Sequence, residues 1–526
     1  MSAGNPETLP QERVPLLGGS NDGHSESHTH DGQPRSVHVG EVPESGRVPE
    51  RDGGCRTLTV SEAVDDIGMG RFQTSLLWAM GLSYAAEGAK MGAAALVAPL
   101  VTCEWGLSTG RESLLTLLYF LGALLGSYAF GVISDSIGRR NTYWYVALVA
   151  VVGSLGAAAA PSVEWLSPCF FLMGLVSTGA TVGFVYVLEY LPSARRGRWG
   201  VMLTLPWALG TLAGAVVAWA AIPWLSWRGH LALLNAPYVG VFALLPLFPE
   251  SAHYLAMKGG PEKAMEALRR VGKMNGVHLG AGVRLESLDD KVTNDKSLLD
   301  MVRESLRDLG SLVSRPLRGT TAVMLALCVS AVFAYNCVLI LTAQVYTEEV
   351  GSCVGASFAL SEKAYRKMLI VSAADAIGSI SVIAMIDWAG RRRSLVAEFC
   401  AAVVALAPLL IDPAIDTTIS LVVFRAVAYA AYCVLMVYIP ELYPTDVRSL
   451  ALGVGILVGS LGSLFAPFAA QELFVSRGLR PPLAIMCALS VMGAVAACSS
   501  SRETAGEGLQ DALEAQPKGN RHPQGP

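Results

Sequence analysis

The hexapeptide DSIGRR at residues 135–140 returns as DWAGRR at residues 387–392, 252 positions further along the chain. Independently, EYLPSARR at 189–196 returns as ELYPTDVR at 441–448, again at an offset of 252. Two unrelated motifs at one spacing mark a duplicated unit. The residues between them show what was duplicated. Of 526 residues 52% are hydrophobic and only 16% charged, and the mean hydropathy is +0.45, well outside the range of soluble domains. Apolar runs fall near 75–98, 113–134, 142–160, 168–188, 199–222 and 229–248 (spans 1 to 6). After a polar gap they resume near 321–346, 367–387, 395–411, 417–439, 449–471 and 482–499 (spans 7 to 12). Most are long enough to cross a hydrocarbon core of roughly 30 Å at about 1.5 Å per residue. Both copies of each motif fall on the same side, so the expected fold is an all-α membrane protein: twelve transmembrane helices in two parallel-repeated six-helix bundles.

Orientation is read from Lys and Arg in the short connections. Arg139 and Arg140 follow span 2, Arg195, Arg196 and Arg198 follow span 4, Arg391 to Arg393 follow span 8, and Arg448 follows span 10. The connections after spans 3 and 9 carry none, although the one after span 7 holds Lys363, Arg366 and Lys367. Both termini and the central loop are therefore expected on the cytoplasmic side of a plasma, endosomal or vesicular membrane. The expected domains are a disordered tail (1–55), an N-terminal bundle (56–248), a cytoplasmic linker (249–320), a C-terminal bundle (321–500) and a second tail (501–526). In the linker, Ala264, Ala267, Leu268 and Val271 recur at helical spacing, which predicts an amphipathic helix on the membrane face. No cleavable signal precedes span 1, which is expected to direct insertion. The tail segment ERVPLL, Glu12 to Leu17, fits the acidic dileucine pattern read by vesicle-sorting adaptors, or is a chance match. HSESHTH, at 24–30, reads as solvated tail rather than metal site.

Ten cysteines form no CxxC pair and no His/Cys cluster, so no metal, redox site or cofactor is expected. Cys103 and Cys353 fall in loops on the outer face, either bonded to each other or as two free thiols. A net charge of −4, mostly in loops, singles out no partner. A monomer in the lipid bilayer, with a small organic substrate and no nucleic acid, is expected.

The repeated turns are candidate gates. Asp135 and Asp387 end spans 2 and 8, where a carboxylate favours the positive N-terminal end of a neighbouring helix, and Gly138-Arg139-Arg140 and Gly390-Arg391-Arg392 make tight cationic turns. With Gly131, Glu189, Arg196, Glu441 and Arg448 they would make contacts when the cytoplasmic side closes and lose them when it opens. The alternative is that the arginines only set topology.

GVISDSIGRR (131–140), FPESAHYL (248–255) and the two E..P...R turns resemble the major facilitator superfamily. Within it, LTVSEAVDDIGMGRFQ (58–73), CEWGL (103–107), YIPELYPTDVRSLALGVG (438–455) and RETAGEGLQD (502–511) are similar to the synaptic vesicle 2-related proteins and organic-ion transporters. The resemblance runs from about residue 57 to 512 and implies a twelve-helix transporter with a central cavity. It also implies an arginine in span 4. The 252-residue offset maps Arg425 of span 10 onto Met173, so that cation is missing here, and Lys90 stands where the vesicle-protein relatives carry an acid.

Four ionisable residues lie deep in the spans: Glu87, Lys90, Asp375 and Arg425. His230 and Glu398 fall near interfaces and are expected to be solvated. A charge at the bilayer centre costs at least roughly 2.5–3.5 kcal/mol, so such groups face a wet cavity or one another. Glu87 and Lys90, three apart on one helix, either neutralise each other or line the cavity together with Tyr84. Asp375, in SAADAIGSIS, either takes up and releases a proton or makes a helix-packing hydrogen bond. Arg425 either anchors an anionic group or pairs with Asp375. Trp207, Asn336 and Gln344 are neutral candidates for ligand contact or for helix packing. The expected function is secondary active transport of a small organic ion or zwitterion by alternating access, with the proton as candidate coupling ion. Span 5 lacks a Gly-Pro motif, which leans toward symport or uniport. The alternative is a ligand-binding membrane sensor or vesicle-trafficking protein without net flux, suggested by the histidine-rich tail and by Met173 and Lys90. No HExxH, GxSxG or GxxxxGK[ST] pattern occurs, so neither an enzyme nor a nucleotide-driven pump is expected.

Overall fold

The structure, a computed structural model, describes residues 56–177, 179–193, 199–200, 202–280, 282–286, 309–310, 312–315, 317–348, 361–412, 416–443, 445–500 and 502–504. The described residues belong to one compact unit. Among the described residues, ten helical stretches are long and apolar enough to cross a membrane. One of them, Thr204–Leu247, has 44 residues, roughly 66 Å of helix or about two crossings. It folds back at Ser226, the one described non-glycine residue with positive φ (58°), and so supplies spans 5 and 6. Span 1, Arg71–Trp105, is not among the ten; it is the helix that carries Glu87 and Lys90. Counting both gives the twelve crossings that the sequence predicts. Cys103 is disulfide-bonded; Cys353 and the dileucine segment lie outside the described residues.

Small residues set how the spans pack. A Cβ on Gly210 would collide with the backbone of Ala85, and one on Gly88 with the carbonyl of Trp207, so spans 1 and 5 lie backbone to backbone along that stripe. A Cβ on Gly126 would strike the Leu175 carbonyl and one on Gly174 the Tyr119 carbonyl, which locks spans 2 and 4 in the same way. The stripe Gly81, Ala85 and Gly88 thus commits one face of span 1 to span 5 and turns Glu87 and Lys90 away from it.

Strand β1 (Arg56–Leu58) pairs in parallel with β2 (Val283–Leu285), joining the start of the first bundle to the linker. Thr59 and Glu62 then form a capping box that opens the helix Val60–Ile67. The predicted linker helix exists as Pro261–Asn275, with Ala264, Ala267, Leu268 and Val271 buried. Its apolar face is not laid on the membrane as expected. It packs on Val60–Ile67 and on Ala252–Lys258, and Asn275 Oδ1 accepts from the Phe72 amide at 2.9 Å, tying the linker to the base of span 1.

Candidate substrate and gating site

Span 8 is built from two helices, Glu362–Ser372 and Ala374–Ala389, and Asp375 stands in the first turn of the second. It is wholly buried, and a Cβ on nearby Gly378 would strike the Ala426 carbonyl, so spans 8 and 10 run in close contact. That brings Arg425 alongside. Its Nε donates to Asp375 Oδ1 at 2.8 Å and its Nη2 to Oδ2 at 2.7 Å, a bidentate charge-assisted pair. Thr211 Oγ1 of span 5 donates to the same Oδ2 at 2.8 Å, and the Tyr335 hydroxyl of span 7 donates to it at 3.3 Å. Trp207 Nε1 donates to the Tyr335 oxygen at 3.2 Å. The carboxylate therefore joins the two halves, since Thr211 and Trp207 come from the N-terminal one.

Around it stand five aromatic rings. Tyr335, Tyr429 and Tyr432 lie with centroids 5.2 to 6.5 Å apart, and Tyr84 meets Trp207 at 6.3 Å. Tyr429 also donates across the halves to the Thr204 carbonyl at 2.8 Å. A cavity of about 50 Å³ adjoins the pair, lined by Thr211, His230, Tyr365, Ser372 and Arg425 with Gly92 and Ala93 of span 1. It is far below the roughly 300–1,000 Å³ of sites that hold an organic ligand. His230, expected to be solvated, is 1% exposed and forms part of this wall. Glu398, also expected at an interface, is buried within the C-terminal half.

Glu87 and Lys90 occupy a different place. Tyr238 of span 6 donates to Glu87 Oε1, Lys90 Nζ donates to the Ala150 carbonyl of span 3 at 3.1 Å, and the two charges approach to 4.0 Å. Lys90 also lies 4.2 Å from the Tyr238 ring centroid. Of the two readings the sequence left open, this geometry matches the self-compensating pair inside the N-terminal bundle. Tyr84 alone of the three faces span 5. Asn336 donates to Ser463 Oγ at 2.7 Å and so joins spans 7 and 11, and Gln344 is buried in span 7; neither lines the cavity.

The repeated turns form two matching latches. Arg139 Nε donates to Glu189 at 3.1 Å and Arg391 Nε to Glu441 at 3.0 Å. Ser251 Oγ donates to the other Glu189 oxygen, and Thr504 Oγ1 to Glu441 at 2.5 Å. Glu250 accepts from the Arg140 amide at 3.0 Å and Glu503 from the Arg391 amide at 2.7 Å, so a carboxylate sits on the N-terminus of each following span. Arg392 donates to the Ala497 and Cys498 carbonyls. Burial raises the Glu189 carboxyl above its ordinary range, against the pull of Arg139 and Ser251. Asp135 departs from expectation: it is 58% exposed and pairs with Arg139 at 2.7 Å within its own half rather than sitting on another helix's N-terminus. Gly131 is exposed, and a Cβ there would meet nothing. Arg196 and the side chains of Asp387 and Arg448 lie outside the described residues.

At the opposite end of the spans, the far face, Gln471 of span 11 donates to Glu112 at 3.1 Å and to Thr116 at 3.2 Å, both on span 2. Among the described residues, hydrogen bonds thus join the halves at the far face and at mid-depth.

The model of the sugar (and other) transporter family matches residues 72–514. This chain belongs to that family, within the major facilitator superfamily. The transporter is 30% identical over 493 residues to organic cation/carnitine transporter 7 of Arabidopsis thaliana, covering 88% of this chain and 98% of that one. It is 29% identical over 507 residues to the synaptic vesicle 2-related protein of Rattus norvegicus, covering 92% and 89%. Among solved structures, the xylose transporter XylE of E. coli in a partially occluded inward-open conformation matches with a TM-score of 0.64 at 16% identity, over 83% of this chain and 99% of that one. The fold is therefore that of a major facilitator transporter, not an enzyme.

Thr211, Tyr335, Tyr429, Tyr432 and Tyr238 were not among the residues the sequence singled out. Tyr429 and Tyr432, one turn apart in span 10 and four and seven residues after Arg425, were the available signal.

Proposed function

We propose that this protein is a secondary transporter that moves a small zwitterion by alternating access, coupled to protons at Asp375. The observation that carries the proposal is one carboxylate bound both by Arg425 in its own half and by Thr211 in the other. A proton on Asp375 weakens its hold on Arg425 and on Thr211 together. The guanidinium is then free for a substrate carboxylate, while the half-to-half bond loosens and the cavity enlarges. The rings of Tyr84, Trp207, Tyr335, Tyr429 and Tyr432 offer faces to a cationic group. Anion at Arg425 and cation on the rings describe a zwitterion, and one relative is named for organic cations and carnitine, itself a quaternary-ammonium zwitterion. A solved relative is named as a proton:xylose symporter. The paired latches act as the gate of the basic face, which is cytoplasmic, and the protein works as a monomer in a plasma, endosomal or vesicular membrane.

The test is uptake of labelled carnitine and related zwitterions into proteoliposomes under an imposed pH gradient. Accumulation is expected with the native protein, and Asp375→Asn should lose accumulation while retaining exchange. Full accumulation in Asp375→Asn would rule out the coupling role. Ligand-dependent thermal stabilisation with no flux under any gradient would favour a sensor.

A further inference from the structure

A second groove lies remote from the ion pair. It measures about 410 Å³, within the roughly 300–1,000 Å³ range of ligand sites. It lies between spans 7, 11 and 12 on the surface that faces lipid, where Phe465 is 66% exposed. Phe333, Phe465, Phe468 and Ile485 form its apolar wall, and Glu472 and Arg477 are its charged residues.

Three features fix what fits it. The first is length. From Ala466 to Arg477 the chain is helical with one π turn, Phe468–Glu472, a rise of roughly 17 Å. That is about half of a ~30 Å hydrocarbon core. Arg477 ends its helix at Gly478 beside the connection to span 12, so the groove runs from headgroup level on the far face to near the midplane, the depth of one leaflet. The second is polarity: the deep end is aromatic and aliphatic, and the charges lie toward the mouth. The third is charge: the lining carries one anion, the partly buried Glu472, and one cation, the exposed Arg477.

We propose that this groove binds one phospholipid of the far leaflet with a zwitterionic headgroup. The acyl chain lies on the phenylalanines, the phosphate meets Arg477 and the headgroup ammonium meets Glu472. The π turn that presents Glu472 also presents Gln471, so the lipid seats against the element that joins span 11 to span 2. A π turn inside an α-helix frequently marks such a functional position. The repeat sharpens the point. The offset maps Gln471 onto Trp219, and Glu112 and Thr116 onto Ala364 and Met368, so the corresponding contact of the duplicated arrangement has no polar counterpart.

The test needs no substrate. Delipidated protein in detergent is offered phosphatidylcholine, phosphatidylethanolamine or phosphatidylglycerol of equal chain length, and bound lipid is counted by native mass spectrometry. One zwitterionic lipid per chain should be retained at least about tenfold more tightly than phosphatidylglycerol. Glu472→Gln should erase that preference by lowering zwitterionic binding alone, and Arg477→Gln should weaken all three. Phe465→Ala with Phe468→Ala should lower every affinity while leaving the order unchanged. Equal retention of phosphatidylglycerol by the native protein, or an unchanged preference in Glu472→Gln, would overturn the proposal. Phosphatidylethanolamine alone binding would narrow the ligand to a headgroup that donates hydrogen bonds, and would retain the site. If Glu472→Gln does not yield folded protein, the Arg477→Gln arm decides alone, an unchanged affinity for all three lipids counting against the site.

Discussion

Lys90 shows how much a single residue's surroundings alter its meaning. Its ammonium bonds to Ala150 of span 3, and Met173, where the family resemblance leads one to expect an arginine, packs against Gly153 one turn further along the same span. Lys90 therefore places a cation on the stripe of span 3 that residue 173 faces. Lys90→Ala leaves the buried Glu87 without its counter-ion and should cost about 3–5 kcal/mol. Adding Met173→Arg should restore most of that, read as the melting temperature of the purified protein. A double variant as unstable as Lys90→Ala alone would show that the two positions are not interchangeable. Identity and depth of these charges were legible in the sequence, because an ionisable residue stands out in an apolar run. Their direction was not, since span 1 is apolar on every side and no polar stripe marks a face. The partial signal was the spacing of Gly81, Ala85 and Gly88, which records where span 5 must pass. The tyrosines of the site gave less, because a neutral polar ring in an apolar helix looks like any large packing residue.

At the level of the element, the duplication of the latch was legible, but its pairings were not. Arg139 with Glu189 and Arg391 with Glu441 recur in sequence and in geometry, and Gly138 and Gly390 both take positive φ, 96° and 85°. Each glycine lies beneath a carboxylate: a Cβ would come within 2.5 Å of Glu250 Oε2 at Gly138, and of the Glu503 carboxyl carbon at Gly390. Alanine at either position combines backbone strain with displacement of the capping acid, and a destabilisation of about 1–3 kcal/mol is expected. Because the two copies are equivalent, Gly138→Ala and Gly390→Ala should lower the melting temperature by similar amounts, whereas Gly131→Ala, which meets nothing, should not. A large difference between the first two would show that the halves carry unequal loads. What the sequence could not supply was the acid above each turn. Glu250 and Glu503 lie 110 and 112 residues beyond Arg140 and Arg391, and only folding brings them to the turn.

The whole molecule is joined at the far face and at mid-depth, and this arrangement sets its balance between conformations. Gln471→Ala removes two hydrogen bonds between the halves, about 0.5–1.5 kcal/mol each. The population open to the far face should then rise several-fold. A cysteine in place of Ala93, on the cavity wall, should accordingly react several times faster with a membrane-impermeant thiol reagent applied from that face; an unchanged rate would show that Gln471 does not restrain opening. The twelve crossings and their duplication were readable from hydropathy and spacing, because lipid forces every span to declare itself. The state of the gates was not, since the same residues serve both conformations. One local feature also determines how motion at this scale can be observed. The two short strands, the linker helix and Asn275 all fasten the linker to the first bundle. The linker helix Pro261–Asn275 is thus an outrigger of one half, a built-in reference frame. A fluorophore on Lys273 should keep a constant separation from one on Asn141, while its separation from one on Arg393 records each rocking stroke directly.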